Sequence, residues 1–264
     1  MATTTNRPVG RMLAQWRQTR RLSQLALATN ARVSARHLSF VESGRAAPSR
    51  DMIITLADAL DVPLRDRNHL LLAGGFAPLY RETSLADPAM TPVREALERV
   101  LRHHEPYPGV VMDRHWNVLA TNDSATAMFE FLLRGQPDTG APNVVRLMFT
   151  VDGLRPYVRN FDEVGPALIQ RVHREAVGGT VDERTDALLA EVLGQPGIPP
   201  EWRRPDHTAA IVPVVPVRFA RDGVAVSYFS MVTTVGTPQD ITAQEIRLEC
   251  FFPTDDASAR HRWV

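Results

Sequence analysis

Residues 22–60 read LSQLALATNARVSARHLSFVESGRAAPSRDMIITLADAL, and this stretch decides the fold of the first third of the chain. Ser23, Ser34 and Ser49 each stand ahead of a short run whose apolar residues recur at helical spacing. A serine in that place accepts a hydrogen bond from a free N–H of the first helical turn, so each marks a helix start. The helices they open run over 24–29, from Ser34 with Leu38 and Val41 inward, and from Pro48-Ser49 through Leu60. Ser43-Gly44-Arg45 closes the middle one, with glycine where a helix C-terminus favours it. Working outward, Leu13, Trp16 and Arg20 recur at helical spacing over 9–20, and Pro63 opens a fifth helix that closes at Gly74-Gly75. Five short helices in so few residues predict a compact all-α bundle.

Beyond it the text changes. Residues 77–92 are rich in Pro, Tyr, Ser, Thr and Asp and read as a linker, after which Thr91-Pro92 opens a helix with Val93, Leu97, Val100 and Leu101 on one face, ending near His104 and Pro106. Val110–Met112 and Trp116–Ala120 read as paired strands around Arg114-His115. Helices are expected over 124–133, 143–149, 163–177 and 184–193, then strands over 209–219, 224–235 and 245–252, the first two joined across Arg221-Asp222-Gly223. In the last strand Ile246, Leu248 and Cys250 alternate with Glu245, Arg247 and Glu249, the pattern of a sheet with one wet face. The order predicts an α+β domain with helices on one side of a five-stranded antiparallel sheet. The expected division is 1–76 for the helical domain, 77–104 for a linker and connecting helix, and 105–264 for the α+β domain.

The chain's 30 basic and 30 acidic residues cancel, but not evenly along it. Residues 1–80 hold 11 Arg against five Asp or Glu, and the remainder holds 19 Arg against 25 acids; lysine is absent throughout. A basic first third joined to an acidic remainder suits a module that binds nucleic acid attached to one that avoids it. The single cysteine, Cys250, has no internal disulfide partner, the N-terminal residues lack the apolar run of a signal peptide, and no stretch is apolar for the length of a membrane span. A cytoplasmic protein with no membrane contact is expected.

Several of these residues sit together in a known pattern. Ser23-Gln24 ahead of Leu25-Ala26, the small Ala28, Val33-Ser34, Leu38-Ser39, Glu42-Ser43-Gly44-Arg45, Pro48-Ser49 and Leu56-Ala57 make residues 9–74 resemble the helix-turn-helix of phage repressors and Xre-type regulators, a lambda-repressor-like bundle. The resemblance implies binding to a double-stranded DNA operator, with the helix after Ser34 entering the major groove. The implied contacts are Gln24, Ser34, Ala35, Arg36, Ser39 and Arg45. Arg36 is placed to bond a guanine edge, with a phosphate contact or plain solvation as the alternatives; Ala35 either touches a thymine methyl or acts as a spacer. Gln24 and Arg45 look like phosphate contacts that set register. Arg17 and Glu42 occupy positions that pair in similar repressors, a structural role, and Phe40 is an apolar departure on the groove side.

The strings DVPLRDRNHLLLAGGFAP (61–78), VVMDRHWNVLATN (110–122), NFDEVGPALIQRV (160–172) and GTPQDITAQEIRLECFFPTD (236–255) together resemble the MmyB-like transcription regulators, in which an Xre-type domain precedes a ligand-binding domain of PAS-like fold. That resemblance implies a sheet-backed pocket for a small apolar ligand such as a fatty acid. Met112, Trp116, Leu119, Phe129, Phe149, Phe161, Tyr228 and Met231, with Leu168, are candidates to line it, or simply core. Phe161 replaces the family's usual Trp. Arg114, Arg159 or His115 are candidates to meet a carboxylate head group. A homodimer is expected, and the competing reading is a C-terminal domain that only dimerises or recruits a protein partner. His103-His104, His115, His173 and His207 lack metal-ligand spacing, and no P-loop, G-x-G-x-x-G or G-x-S-x-G occurs, so neither a cofactor, a metal nor catalysis is expected.

Overall fold

The computed structural model describes residues 8–135, 142–176, 182–203 and 214–263. They fall into two compact units, one holding residues 8–83 with 237–244, the other the rest.

The first unit is built from α1 (Pro8–Thr19), α2 (Gln24–Asn30), α3 (Ala35–Glu42), α4 (Arg50–Ala59) and α5 (Leu64–Ala73). The three serines do what their positions dictate: Ser23 Oγ accepts from Ala26 N at 3.0 Å, Ser34 Oγ from His37 N at 3.4 Å and Ser49 Oγ from Met52 N at 3.2 Å. Leu13, Leu27, Leu38, Val41, Ile53, Leu56, Leu70 and Leu71 form one buried core with Trp16 at its edge. Burial of this apolar surface stabilises the bundle far more than the propensity of helices this short. α1 crosses α3 so closely that a Cβ added at Gly10 would lie 2.1 Å from Val41 O. Segment 77–83 is fixed rather than loose, because Asn68 Oδ1 accepts from Leu79 N and Tyr80 N at 2.9 and 3.0 Å and its Nδ2 donates to Tyr80 O at 2.7 Å.

The second unit has a five-stranded sheet made of β1 (Gly109–Met112), β2 (Val118–Thr121), β3 (Val217–Arg221), β4 (Val224–Thr233) and β5 (Arg247–Pro253). Its spatial order is β2-β1-β5-β4-β3 with every neighbouring pair antiparallel, the PAS-like arrangement. Helices α6 (Thr91–His104), α7 (Asp123–Leu132), α8 (Val144–Phe149), α9 (Phe161–Ala176), α10 (Glu183–Leu193) and α12 (Asp256–Arg260) complete it.

Three expectations need correction. Residues 241–245 form a short helix, α11 (Ile241–Glu245), started by Asp240, whose Oδ1 accepts from Thr242 N at 2.9 Å; β5 therefore begins at Arg247. The helices do not all lie on one side. Leu97 and Leu101 of α6 pack with Val111, Leu248 and Cys250 on one sheet face, while Val110, Met112, Phe219 and Tyr228 on the other join the large core with α7 to α10. Consequently neither face of β5 is wet: Glu249 is buried, because the face it shares with Arg247 and Phe251 is the one covered by the larger group of helices. The start of the strand expected over 209–219 lies outside the described residues, as does His207.

Candidate DNA-reading face and ligand cavity

In the first unit the order α2, turn, α3 presents the outward residues. Arg36, Ser34 and Arg45 are exposed, Gln24, Ala35 and Ser39 half-buried. Arg17 fixes the frame beneath them. Its Nε and Nη2 donate to Glu42 Oε1 and Oε2 at 2.7 and 2.9 Å, and Nη1 donates to Leu22 O at 2.8 Å. The Glu42 hydrogen bonds raise the Arg17 guanidinium above its ordinary value, against the opposing effect of burial. Gln24 Nε2 donates to Glu42 Oε2 at 2.7 Å, so the side chain read from sequence as a phosphate contact is tied into the same pair. Phe40 is half-buried, with the guanidinium carbons of Arg36 and Arg45 each 5.5 Å from its ring centroid. Both exposed cations thus lie against its ring, a role that its departure from polar residues signalled only as an oddity.

In the second unit a cavity of about 250 Å³ opens between the sheet and α7 to α9. Met112, Trp116 and Phe129 line it with Val110, Met128, Val144, Met148, Leu154, Val164, Leu168, Val217, Phe219 and Phe251. Phe149, Phe161 and Tyr228 belong to the surrounding core but are not among its lining residues. Leu119 and Met231 are 43% and 57% exposed and lie outside it. Strand parity explains Met231: Ser230 pairs with Phe251 on the cavity face, so Met231, opposite Cys250, must point to the other.

Trp116 is the anchor of the cavity. It is 1% exposed and adopts φ of 69°, a left-handed conformation that bulky residues rarely take. The turn around it is held from several sides. Asp113 Oδ1 accepts from His115 N and Asn117 N at 2.8 and 2.9 Å, and Asn143 Nδ2 donates to His115 O at 2.7 Å and Asn117 Oδ1 at 3.0 Å. Val144 N donates to Trp116 O at 2.9 Å. Strain of this kind persists only where surroundings over-determine it, and it concentrates at ligand sites. The Arg171 guanidinium carbon lies 4.4 Å from the Trp116 ring centroid and that of Arg247 lies 5.6 Å away.

Arg114 and His115, expected near a head group, are committed elsewhere: Arg114 bonds Asp182 at 3.0 Å and Glu245 at 2.9 Å, and His115 Nε2 lies 2.8 Å from Asp182. Burial raises the Asp182 carboxyl, but the Thr185 hydroxyl, Arg114, His115 and the Arg184 N–H outweigh it and hold the group below its ordinary value. Arg159 is exposed and is not among the lining residues. The charged groups that do line the cavity are Arg171, Arg174 and Glu249, with Ser230. Sequence reasoning missed all four. The available signal was Arg171 itself, which follows Val164, Ala167 and Leu168 at helical spacing and so puts a cation on the apolar face of α9. On the other sheet face, burial and the neighbouring Glu249 charge push the Cys250 thiol up, away from nucleophilic character. Among the described residues no group of three or more His, Cys, Asp or Glu could hold a metal ion, and no helix is long and apolar enough to cross a membrane.

A capped helix-turn-helix bundle followed by a PAS-like domain with its own cavity defines a DNA-binding transcription regulator with a ligand-binding domain. Residues 93–263 match the family model of the MmyB-like transcription regulator ligand binding domain, and residues 8–70 match a helix-turn-helix domain. The chain belongs to the MmyB-like transcription regulators. Both matched families are regulator domains and not enzymes. No curated protein matches the chain. A solved structure described as an RNA-binding Light-Oxygen-Voltage receptor aligns over 96% of this chain at 11% identity and a TM-score of 0.26, a likeness too low to carry any argument; the chain spans 60% of its length.

Proposed function

We propose that this regulator is a one-component sensor, in which α3 reads a near-palindromic operator as part of a homodimer and a small, largely apolar molecule in the Trp116 cavity changes operator affinity. Working on DNA, it acts in the cytoplasm. The observation that carries the sensor half is Trp116: a buried aromatic residue held at a left-handed backbone conformation forms a wall of an apolar space instead of filling it. A fatty-acid chain is one body that fits such a wall.

On the DNA side, Arg36 reads a base edge, while Ser34, Ala35 and Ser39 allow α3 to approach the groove. Arg45 meets phosphate, and Gln24, held by Glu42, keeps a second amide N–H for the same purpose. Phe40 supports this reading, since Arg36 at the start of α3 and Arg45 beyond its end both lie against its ring.

A second reading, a domain that only dimerises or recruits a protein, is favoured by one feature. An apolar groove of about 340 Å³ runs between α6 and the β4–β5 end of the sheet, lined by Val93, Leu97, Val100, Val235, Ile246 and Leu248. Native mass spectrometry of freshly purified protein separates the two. A retained small molecule supports the sensor; oligomer mass alone, with operator affinity unmoved by apolar compounds, supports the second reading.

A further inference from the structure

α6 is too narrow for the sheet face it covers. It packs through Leu97 and Leu101 on Val111 of β1 and on Leu248 and Cys250 of β5. A helix about 10–12 Å across spans roughly two strands spaced about 4.8 Å apart, so the β4 side of this face stays open. That open side carries apolar residues. Phe229 and Met231 lie opposite Phe252 and Cys250 and so share the face; Phe229 stacks on Phe252 with ring centroids 5.5 Å apart, and Met231 is 57% exposed. Beside them runs the groove of about 340 Å³, lined from α6 by Ala96 and Val100, the latter 43% exposed. Exposed apolar residues standing singly are ordinary, but a groove with such residues gathered along it marks a surface that another molecule covers.

The surface is complementary to itself. One patch holds both a hollow, the groove, and projections, Val100 and Met231, and a two-fold interface requires this because each copy offers the same patch to the other. The charges agree. Glu95 and Arg99 of α6 are exposed one helical turn apart, each next in sequence to a groove residue. A two-fold axis near the middle of α6 runs the two helices antiparallel and sets Glu95 against Arg99 of the partner subunit, twice over. A second copy is also the occupant that DNA reading calls for, since a near-palindromic operator offers two half-sites to two helix-turn-helix domains. We infer that two copies of this chain meet through the α6–β4 surface. This rests on the homodimer of the proposed function and gives it a location. The Trp116 cavity is left free, because Ser230, Glu249 and Phe251 line it from the opposite face of the same strands.

The test is sedimentation velocity of the intact protein over a concentration series. The parent chain is expected to be a dimer. Val100→Glu and Met231→Glu each bury an unpaired charge in the interface and should weaken self-association by about tenfold or more. Both side chains are exposed in the single chain, so hydrogen exchange should show each variant folded as the parent is. Glu95→Arg and Arg99→Glu should each weaken the dimer by about threefold or more, and the double variant should restore it, because the pair is rebuilt with its signs exchanged. If a glutamate variant does not fold, this charge exchange decides: a double variant no tighter than the single ones overturns the antiparallel meeting of the two helices. A dimer that survives both glutamate variants would overturn this surface and leave the homodimer standing. A parent chain that is monomeric at every concentration would overturn the homodimer as well and give the groove to a different occupant.

Discussion

Replacing Glu42 by alanine tests the frame that presents the DNA-reading helix. The substitution removes two charge-assisted hydrogen bonds from Arg17, at 2.7 and 2.9 Å, and a third from Gln24 at 2.7 Å. It leaves the Arg17 guanidinium, 13% exposed, with Leu22 O at 2.8 Å. Breaking a buried pair by removing one partner costs about 3–5 kcal/mol, and the partial exposure of Arg17 places this case at about 3. For a bundle of this size each kcal/mol lowers the melting temperature by roughly 4–8 °C, so a fall of about 15 °C is expected in this unit. Because the chain has two units, hydrogen exchange read by mass spectrometry over α1 to α3 isolates the effect better than a single melting curve. Operator affinity should fall with it, since Glu42 joins α1 and α2 to the end of α3. The double variant Arg17→Met with Glu42→Met should recover most of the stability, because apolar residues of similar volume often replace a buried pair at little cost. Unchanged protection and unchanged operator affinity in Glu42→Ala would refute this account of the pair.

Three further outcomes follow from named contacts. Gly10→Ala should destabilise the helical unit by about 3 kcal/mol, because the new methyl meets Val41 O and α1 must move; an unshifted exchange profile would contradict the close approach. Asp182→Asn keeps a side chain able to cap α10 but loses the charge shared with Arg114 and His115. Since the folded Asp182 carboxyl lies below its ordinary 3.8, its contribution is present above that pH and lost on acidification through the folded value; the gap between parent and variant should close below about pH 4 in an acid unfolding series, and a gap independent of pH would count against it. Arg36→Ala should relax preference at one base position by about 1–3 kcal/mol, while Arg45→Ala should weaken all sequences alike and reduce the salt slope by about 1, measured by binding to operator and scrambled duplexes; the reverse pattern would overturn the assignment.

The helical domain was legible because its information is local. Ser23, Ser34 and Ser49 announce themselves by position, and Leu38 and Val41 by spacing, so five helices could be placed before any tertiary contact was known. The α+β domain was legible as strands and helices, but not as faces. Alternation in β5 shows that Leu248 and Cys250 oppose Arg247 and Glu249; it does not say which set is buried when helices cover both sides. Charge points to the wrong set, because the burial of Glu249 depends on Arg171, 78 residues away in sequence, and on Ser230. The same long-range pairing hid the polar wall of the cavity. Arg114 and His115 drew attention beside Trp116, yet their partners Asp182 and Glu245 come from distant segments and hold them outside it. The hydrophobicity of Leu119 and Met231 suggests pocket residues, but hydrophobicity cannot distinguish the inner face of a strand from the outer.

The most direct test is the affinity of the intact protein for its operator, measured by fluorescence anisotropy at fixed salt with and without saturating fatty acid, across a series of chain lengths. A sensor requires the ligand to favour one state of the protein, so the dissociation constant should change by about fivefold or more in either direction. A fatty acid that binds by calorimetry yet leaves operator affinity unchanged would contradict it.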